Sequence, residues 1–279
     1  MPRTVRNIHR AERDDIGDLT TRRPLPSRSI GDLDPFLFLN HHGPQTYPPR
    51  NHGLPFGPHP HRGFETVTFI LEGDVLHRDS GGHESVISAG GAQWMTAGRG
   101  LVHAELSSPE FMERGGPLEI LQLWVNLPAR LKMTAPRYVG VQRDEVPRLS
   151  LDRAGVNLIS GELAGRKGPV ESLTGVWMST VAIEPGGSVR LPAPRGRTVF
   201  LYVARGALAG IPAFHLVELN DDADDLELRT NEGATVLFGH AAPLGEPVVA
   251  QGPFVMNTRE EIAQAIRDYH AGLFGPPMD

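Results

Sequence analysis

The chain has 279 residues, of which 39% are apolar, 22% charged and 6% aromatic, and its formal net charge is −6 with neutral histidines. This apolar content supports a sizeable core and excludes a disordered chain, and the acidic balance lacks the basic footprint of a nucleic-acid binder. The absence of cysteine excludes disulfides, cysteine-based zinc sites, iron–sulfur clusters and thiol nucleophiles, so any metal must be held by nitrogen and oxygen.

The N-terminus, Met1-Pro2-Arg3, has no signal-peptide core, and no apolar run approaches the ~20 residues of a membrane span, which predicts a soluble, cytoplasmic protein. The 32 glycines and 25 prolines, about a fifth of the chain, favour a turn-rich β protein. His41 and His42 fall in a Gly/Pro-rich stretch, residues 40–58, and are expected as solvated loop residues or as the lining of a pocket mouth. Phe64–Leu71 is β-branched and aromatic and ends at Glu72-Gly73. Asp74–Arg78 resumes after it, so a hairpin is predicted. Ser85–Ser88, Ala92–Thr96 and Leu101–Leu106 read as short strands, with glycine turns between them. Leu118–Leu127 is a longer strand, ended by Pro128. Many short strands at this spacing indicate a sandwich or barrel.

Residues 128–175 read as a connection with some structure of its own. Trp177–Glu184, Thr198–Val203, Ala213–Glu218, Asp225–Arg229 and Ala234–Phe238 then form a second β unit, with residues 220–225 as an exposed acidic loop. Near the end, Thr258 precedes Glu261 by three, a capping box. Ile262, Ala265, Ile266 and Tyr269 line one helical face, and Gly272 can stop the helix.

Eight of the twelve histidines lie between His41 and His103. Within that region His59-Pro60-His61 is followed by His103-Ala104-Glu105. Side chains at i and i+2 of an extended segment share a face, so each pair can converge. If the two segments meet, three imidazoles and a carboxylate face one point, a donor set suited to a divalent first-row metal. Glu65 has the same parity as His61, and spacing alone does not choose between Glu65 and Glu105. Arg62 and Arg99 adjoin the two pairs and are expected to brace loops through Asp79 or Glu65 rather than to meet an anionic substrate. Trp94 and Met95 are expected in the core. Gln93 or His77 can orient a ligand from behind, or can lie exposed.

At these residues the chain resembles the pirin family of bicupins. The stretch His59-Pro-His-Arg-Gly-Phe-Glu-Thr-Val-Thr-Phe-Ile-Leu-Glu-Gly73 is similar to the family signature. So are His77-Arg-Asp-Ser80, Gln93-Trp-Met-Thr-Ala-Gly-Arg-Gly100, His103-Ala-Glu105, Leu121-Gln-Leu-Trp-Val-Asn126, Gly252-Pro-Phe-Val-Met-Asn-Thr258 and Phe274-Gly275. The likeness runs from about residue 30 to 275 and is thin over 128–175. It implies an all-β bicupin: two stacked β-barrel, jelly-roll cupin domains with a C-terminal helix. We divide these as residues 1–135, binding metal, and 136–279, without metal and carrying the helix. The resemblance further implies one metal, usually iron, with His59, His61, His103 and Glu105 as ligands, which resolves the carboxylate in favour of Glu105. Fe(II) is the expected metal, with Ni, Co, Mn, Cu or Zn as alternatives. Leu191-Pro-Ala-Pro-Arg195, the corresponding stretch of the second domain, offers no imidazole, and His215 and His240 are isolated.

Three histidines and one carboxylate leave two positions of a six-coordinate metal open, which is catalytic rather than structural in character. The family resemblance implies a quercetin 2,3-dioxygenase-type reaction, with a flavonol and O2 as substrates and Glu105 as general base. It also implies an alternative. Family members in animals act as nuclear cofactors of transcription, so this chain would be a non-enzymatic, metal- or redox-dependent regulator of a protein partner, an enzyme or a transcription factor. Neither reading involves direct nucleic-acid binding or a membrane.

Overall fold

The structure, a computed structural model, describes residues 1–31 and 33–278. Antiparallel strands dominate, and the chain forms two compact units. One is built on residues 36–143 together with 14–21 and 244–279. The other is built on residues 144–243 together with 1–13 and 22–35.

The strands of residues 36–143 fall in two sheets. One contains the run Arg137–Val141, Ala92–Thr96, Phe64–Glu72, Gly116–Asn126 and Phe36–Tyr47. The other is ordered Phe56–His61, Leu101–Leu106, Asp74–Asp79 and Glu84–Ser88. The predicted hairpin at Gly73 is therefore corrected. The strands on either side of it pair in different sheets, because the chain turns a corner there with Gly73 at φ +81°. Ile70, Val75, Ile87, Phe111, Leu118 and Ile120 fill the core of this unit.

In the 144–243 unit the order is Val5–Arg10, His215–Leu219, Thr198–Leu208, Ala234–Ala241, Trp177–Ile183, Ala154–Ser160 and Arg148–Leu151. Ser188–Pro192 pairs separately with Asp225–Arg229. Its core includes Val156, Leu158, Val181, Leu201, Val217, Val236 and Phe238. Two strands here and Arg137–Val141 fall in the stretch expected as a connection. Their apolar residues alternate with Arg, Ser and Gly, so they give no continuous apolar run.

The ends of the chain do not follow the division at 135/136. Val5–Arg10 adds to the edge of the 144–243 sheet through His215–Leu219, whereas the terminal helix belongs with the 36–143 unit. The helix spans Arg259–His270 and carries the predicted capping box. Ile262 and Ala265 pack it against Phe254, Met256 and Phe274. Nothing local in an amphipathic helix or an edge strand names its partner, so the sequence reading assigned each segment to the unit beside it in the chain.

Candidate metal centre

Phe56–His61 and Leu101–Leu106 are antiparallel neighbours, with His59 opposite His103 and His61 opposite Leu101. This register carries all three imidazoles to one place. Ring centroids are 4.4 Å apart for His59–His103, 4.8 Å for His59–His61 and 4.9 Å for His61–His103. One ligand nitrogen from each lies within 4.8 Å of the others.

The hydrogen bonds around the rings determine which nitrogen is bare. His59 Nδ1 donates to the Gly57 carbonyl at 2.7 Å and His61 Nδ1 to the Pro253 carbonyl at 3.3 Å. A carbonyl only accepts, so Nδ1 carries the proton and Nε2 keeps its lone pair, as in metal-binding histidines. His103 is fully buried and neither of its ring nitrogens has a hydrogen-bond partner. Leaving such a group unsatisfied costs about 1–3 kcal/mol, a cost that a bound cation offsets. Burial, reinforced by the neighbouring His59, pushes His61 down to about 3, and burial holds His103 well below the usual imidazole range. These rings are therefore neutral near pH 7, the form that ligates metal. The donor set fits a divalent first-row ion.

Glu105 lies two residues beyond His103, across a bulge in the strand. Its Oε1 accepts from Gln93 Nε2 at 2.6 Å and Thr68 Oγ1 at 2.9 Å, and its Oε2 accepts from Gln122 Nε2 at 2.5 Å. The structure thus groups the three histidines and gives the carboxylate a separate set of donors. Gln122 opposes Thr68, and Thr68 opposes Gln93, so the donors form one row across three strands. Gln93 orients Glu105, one of the two roles considered for it. The sequence reading missed Thr68 and Gln122. Their signal was polar side chains inside otherwise apolar strands.

His77 sits opposite Glu105 on the neighbouring strand, with its ring 5.5 Å from that of His103. Its Nε2 meets Asp79 Oδ2 at 3.0 Å, and the same carboxylate reaches the half-exposed His83. Tyr138 stacks on His77 at 3.9 Å. A cluster of aromatic rings flanks His61: Phe64 at 5.0 Å and Trp124 at 5.3 Å, with Phe38 stacked on Trp124 at 4.7 Å.

Other expectations fare differently. Glu65 shares parity with His61 only if the chain stays extended between them, and Gly63 at φ +89° breaks that run. Glu65 is buried and accepts from Thr96 Oγ1 at 2.6 Å, and burial pushes its carboxyl up to about 6. Arg62 does brace, but its partner is Asp268 on the terminal helix at 2.7 Å rather than Asp79 or Glu65. It also donates to the Arg99 carbonyl at 2.6 Å. Trp94 and Met95 are buried as expected. His41 and His42 are not loop residues. Both are buried on the strand Phe36–Tyr47, where His41 meets Glu119 at 2.8 Å and His42 meets Thr21 Oγ1 at 2.9 Å. Gly43 and Pro44 disguised that strand as a loop.

Two β units of this topology, one carrying clustered histidines on paired strands, define a two-domain cupin protein. The family model described as Pirin matches residues 18–125, and that described as Pirin C-terminal cupin domain matches residues 178–275. The chain belongs to the pirin family. It is 37% identical to human pirin over 276 residues, covering 95% of this chain and 91% of that one. A Pseudomonas aeruginosa protein, provisionally named a quercetin 2,3-dioxygenase, is 40% identical over 272 residues, 95% of each chain. A crystal structure titled quercetin 2,3-dioxygenase from Acinetobacter baumannii superposes with a TM-score of 0.92 at 35% identity, covering all of both chains.

Proposed function

We propose that this chain is a metal-dependent dioxygenase that opens the ring of a quercetin-type flavonol with O2, at a centre formed by His59, His61, His103 and Glu105 with Fe(II). The observation that carries this reading is the convergence of three imidazoles, one of them buried without any hydrogen bond. The relatives that bear quercetin 2,3-dioxygenase names support the substrate class. A bound metal would supply Lewis-acid and redox chemistry toward the flavonol and O2. His59 and His61 present Nε2 because backbone carbonyls hold their Nδ1 protons. Glu105, oriented by Gln93, Thr68 and Gln122, receives the flavonol hydroxyl proton. Phe64 and Trp124 give planar rings an apolar face and keep water from the reacting carbon. Among the described residues no helix is long and apolar enough to cross a membrane, which accords with action in the cytoplasm.

The test is metal analysis of protein purified without chelator, followed by a flavonol assay in air on the same sample. Stoichiometric iron and carbon monoxide release are expected. Iron-loaded protein that leaves the flavonol untouched would overturn the reading. The alternative, a metal-dependent regulator, draws on the likeness to human pirin. It predicts a protein partner whose capture differs between ferrous, ferric and metal-free protein.

A further inference from the structure

The 144–243 unit contains a cavity of about 720 Å³, lined in part by Lys167, Pro169, Val170, Trp177, Arg197 and His240. Its position follows from a correspondence between the two units. Arg62-Gly63 and Arg195-Gly196 both end in a glycine with positive φ, +89° and +73°. Three residues beyond each glycine, Thr66 pairs with Trp124 and Val199 pairs with His240. One strand further, Trp124 pairs with Phe38 and His240 with Trp177. Phe38, Phe64 and Trp124, the rings beside His61, thus correspond to Trp177, Arg197 and His240. The stacking survives: Trp177 and His240 lie 5.4 Å apart and 13° from parallel. The polarity does not, since a cation replaces Phe64 and an imidazole replaces Trp124.

The hydrogen bonds define what this cavity offers. Arg197 Nε donates to His240 Nδ1 at 2.7 Å, and its Nη2 donates to the Gly175 carbonyl at 2.5 Å and the His240 carbonyl at 3.2 Å. Since Nδ1 accepts, the His240 proton is on Nε2. That N–H is shielded from solvent and has no partner, in a residue only 5% exposed. Trp177 is pinned by its Nε1 bond to the Glu162 carbonyl at 2.9 Å, and its ring packs so closely on Gly161 that a Cβ there would collide with it. The rim mixes Lys167 with the exposed Glu162 and Glu171, so the interior guanidinium of Arg197 sets the charge preference.

We infer that this cavity is a second, metal-independent ligand site, which takes a small planar carboxylate. The anion pairs with Arg197, which His240 Nδ1 and the Gly175 carbonyl hold in place, and the ring packs against the Trp177, Val170 and Pro169 side. A carboxylate answers a fixed guanidinium that has no carboxylate partner among the described residues. The inference is independent of the reaction proposed at the metal centre.

Benzoate, titrated calorimetrically into the full-length protein, tests it. Saturable binding is expected, with neutral benzamide at least about tenfold weaker, as loss of a charge-assisted hydrogen bond requires. His240→Phe keeps a ring on Trp177 but removes the Nδ1 acceptor that fixes Arg197, and it should weaken benzoate about tenfold or more. Pro169→Trp fills the cavity while leaving the Arg197–His240 pair intact, and it should abolish binding even where His240→Phe folds poorly. His61→Ala should leave benzoate affinity unchanged. The inference is overturned by absence of saturable binding, by equal affinity for benzamide, by unaltered binding in folded Pro169→Trp protein, or by loss of binding in His61→Ala.

Discussion

At matched positions the two β units place different chemistry on one topology. In the 36–143 unit the strand Phe56–His61 carries His59 and His61, and aromatic rings flank His61. In the 144–243 unit the matching stretch is Pro192-Ala193-Pro194, and the rings give way to Arg197 and His240. The backbone ladders are alike, so the chemistry at each mouth is set by a few side chains whose direction the register determines. Two further pairs extend the contrast. Glu65, a buried acid, corresponds to Thr198, whose hydroxyl donates to the Asp34 carbonyl at 2.6 Å. Arg62, buried against Asp268, corresponds to Arg195, which lies on the surface 3.9 Å from Asp224.

The strongest challenge to this contrast is to remove one imidazole from each unit. His61→Ala should eliminate bound metal and flavonol turnover together, whereas His240→Ala should leave metal content intact. Metal analysis of both variants decides it, and equal losses would erase the distinction between the units. Gln93→Leu comes next. Without its donor, Glu105 is buried with weaker support, and metal affinity should fall about 10- to 100-fold in a competition titration with a chelator.

The paired arginines predict a difference in stability. Asp268→Ala strips the partner from a guanidinium whose side chain is only 5% exposed, and should cost about 2–3 kcal/mol in denaturant unfolding. Arg195→Ala removes an exposed pair and should change stability by less than about 0.5 kcal/mol.

Glu65 gives a signed pH dependence. Burial raises its carboxyl from 4.5 to about 6. Between those values the folded chain holds a proton that the unfolded chain has lost. Stability therefore falls as pH rises through the interval and stays lower above it. Glu65→Gln should flatten that slope and add up to about 2 kcal/mol above the interval, measured by urea unfolding across pH. A Thr198→Ala control should leave that slope unchanged.

Much of the fold was legible in the letters. Ala92–Thr96, Leu101–Leu106 and Asp225–Arg229 are strands with the predicted limits, because glycine turns or acidic loops bound their apolar alternation. The terminal helix was legible from Thr258, Glu261 and its apolar face. Phe36–Tyr47 was not, since Gly43 and Pro44 imitate a loop, and neither was the corner at Gly73, since a sharp turn reads alike whether or not its strands pair.

By itself the sequence determined the residue types and their local spacing: two i, i+2 pairs of ligand type in extended segments, no cysteine to compete, and a capped helix at the end. These are properties of covalent order and of a period-two backbone. Only the tertiary structure decided which segments meet. It placed His59 opposite His103, lined up Gln93, Thr68 and Gln122 across three strands against Glu105, turned Glu65 away through the left-handed Gly63, and paired Arg62 with a helix some 200 residues distant. Such contacts depend on strand register and on burial of distant apolar faces, which no local stretch of chain encodes.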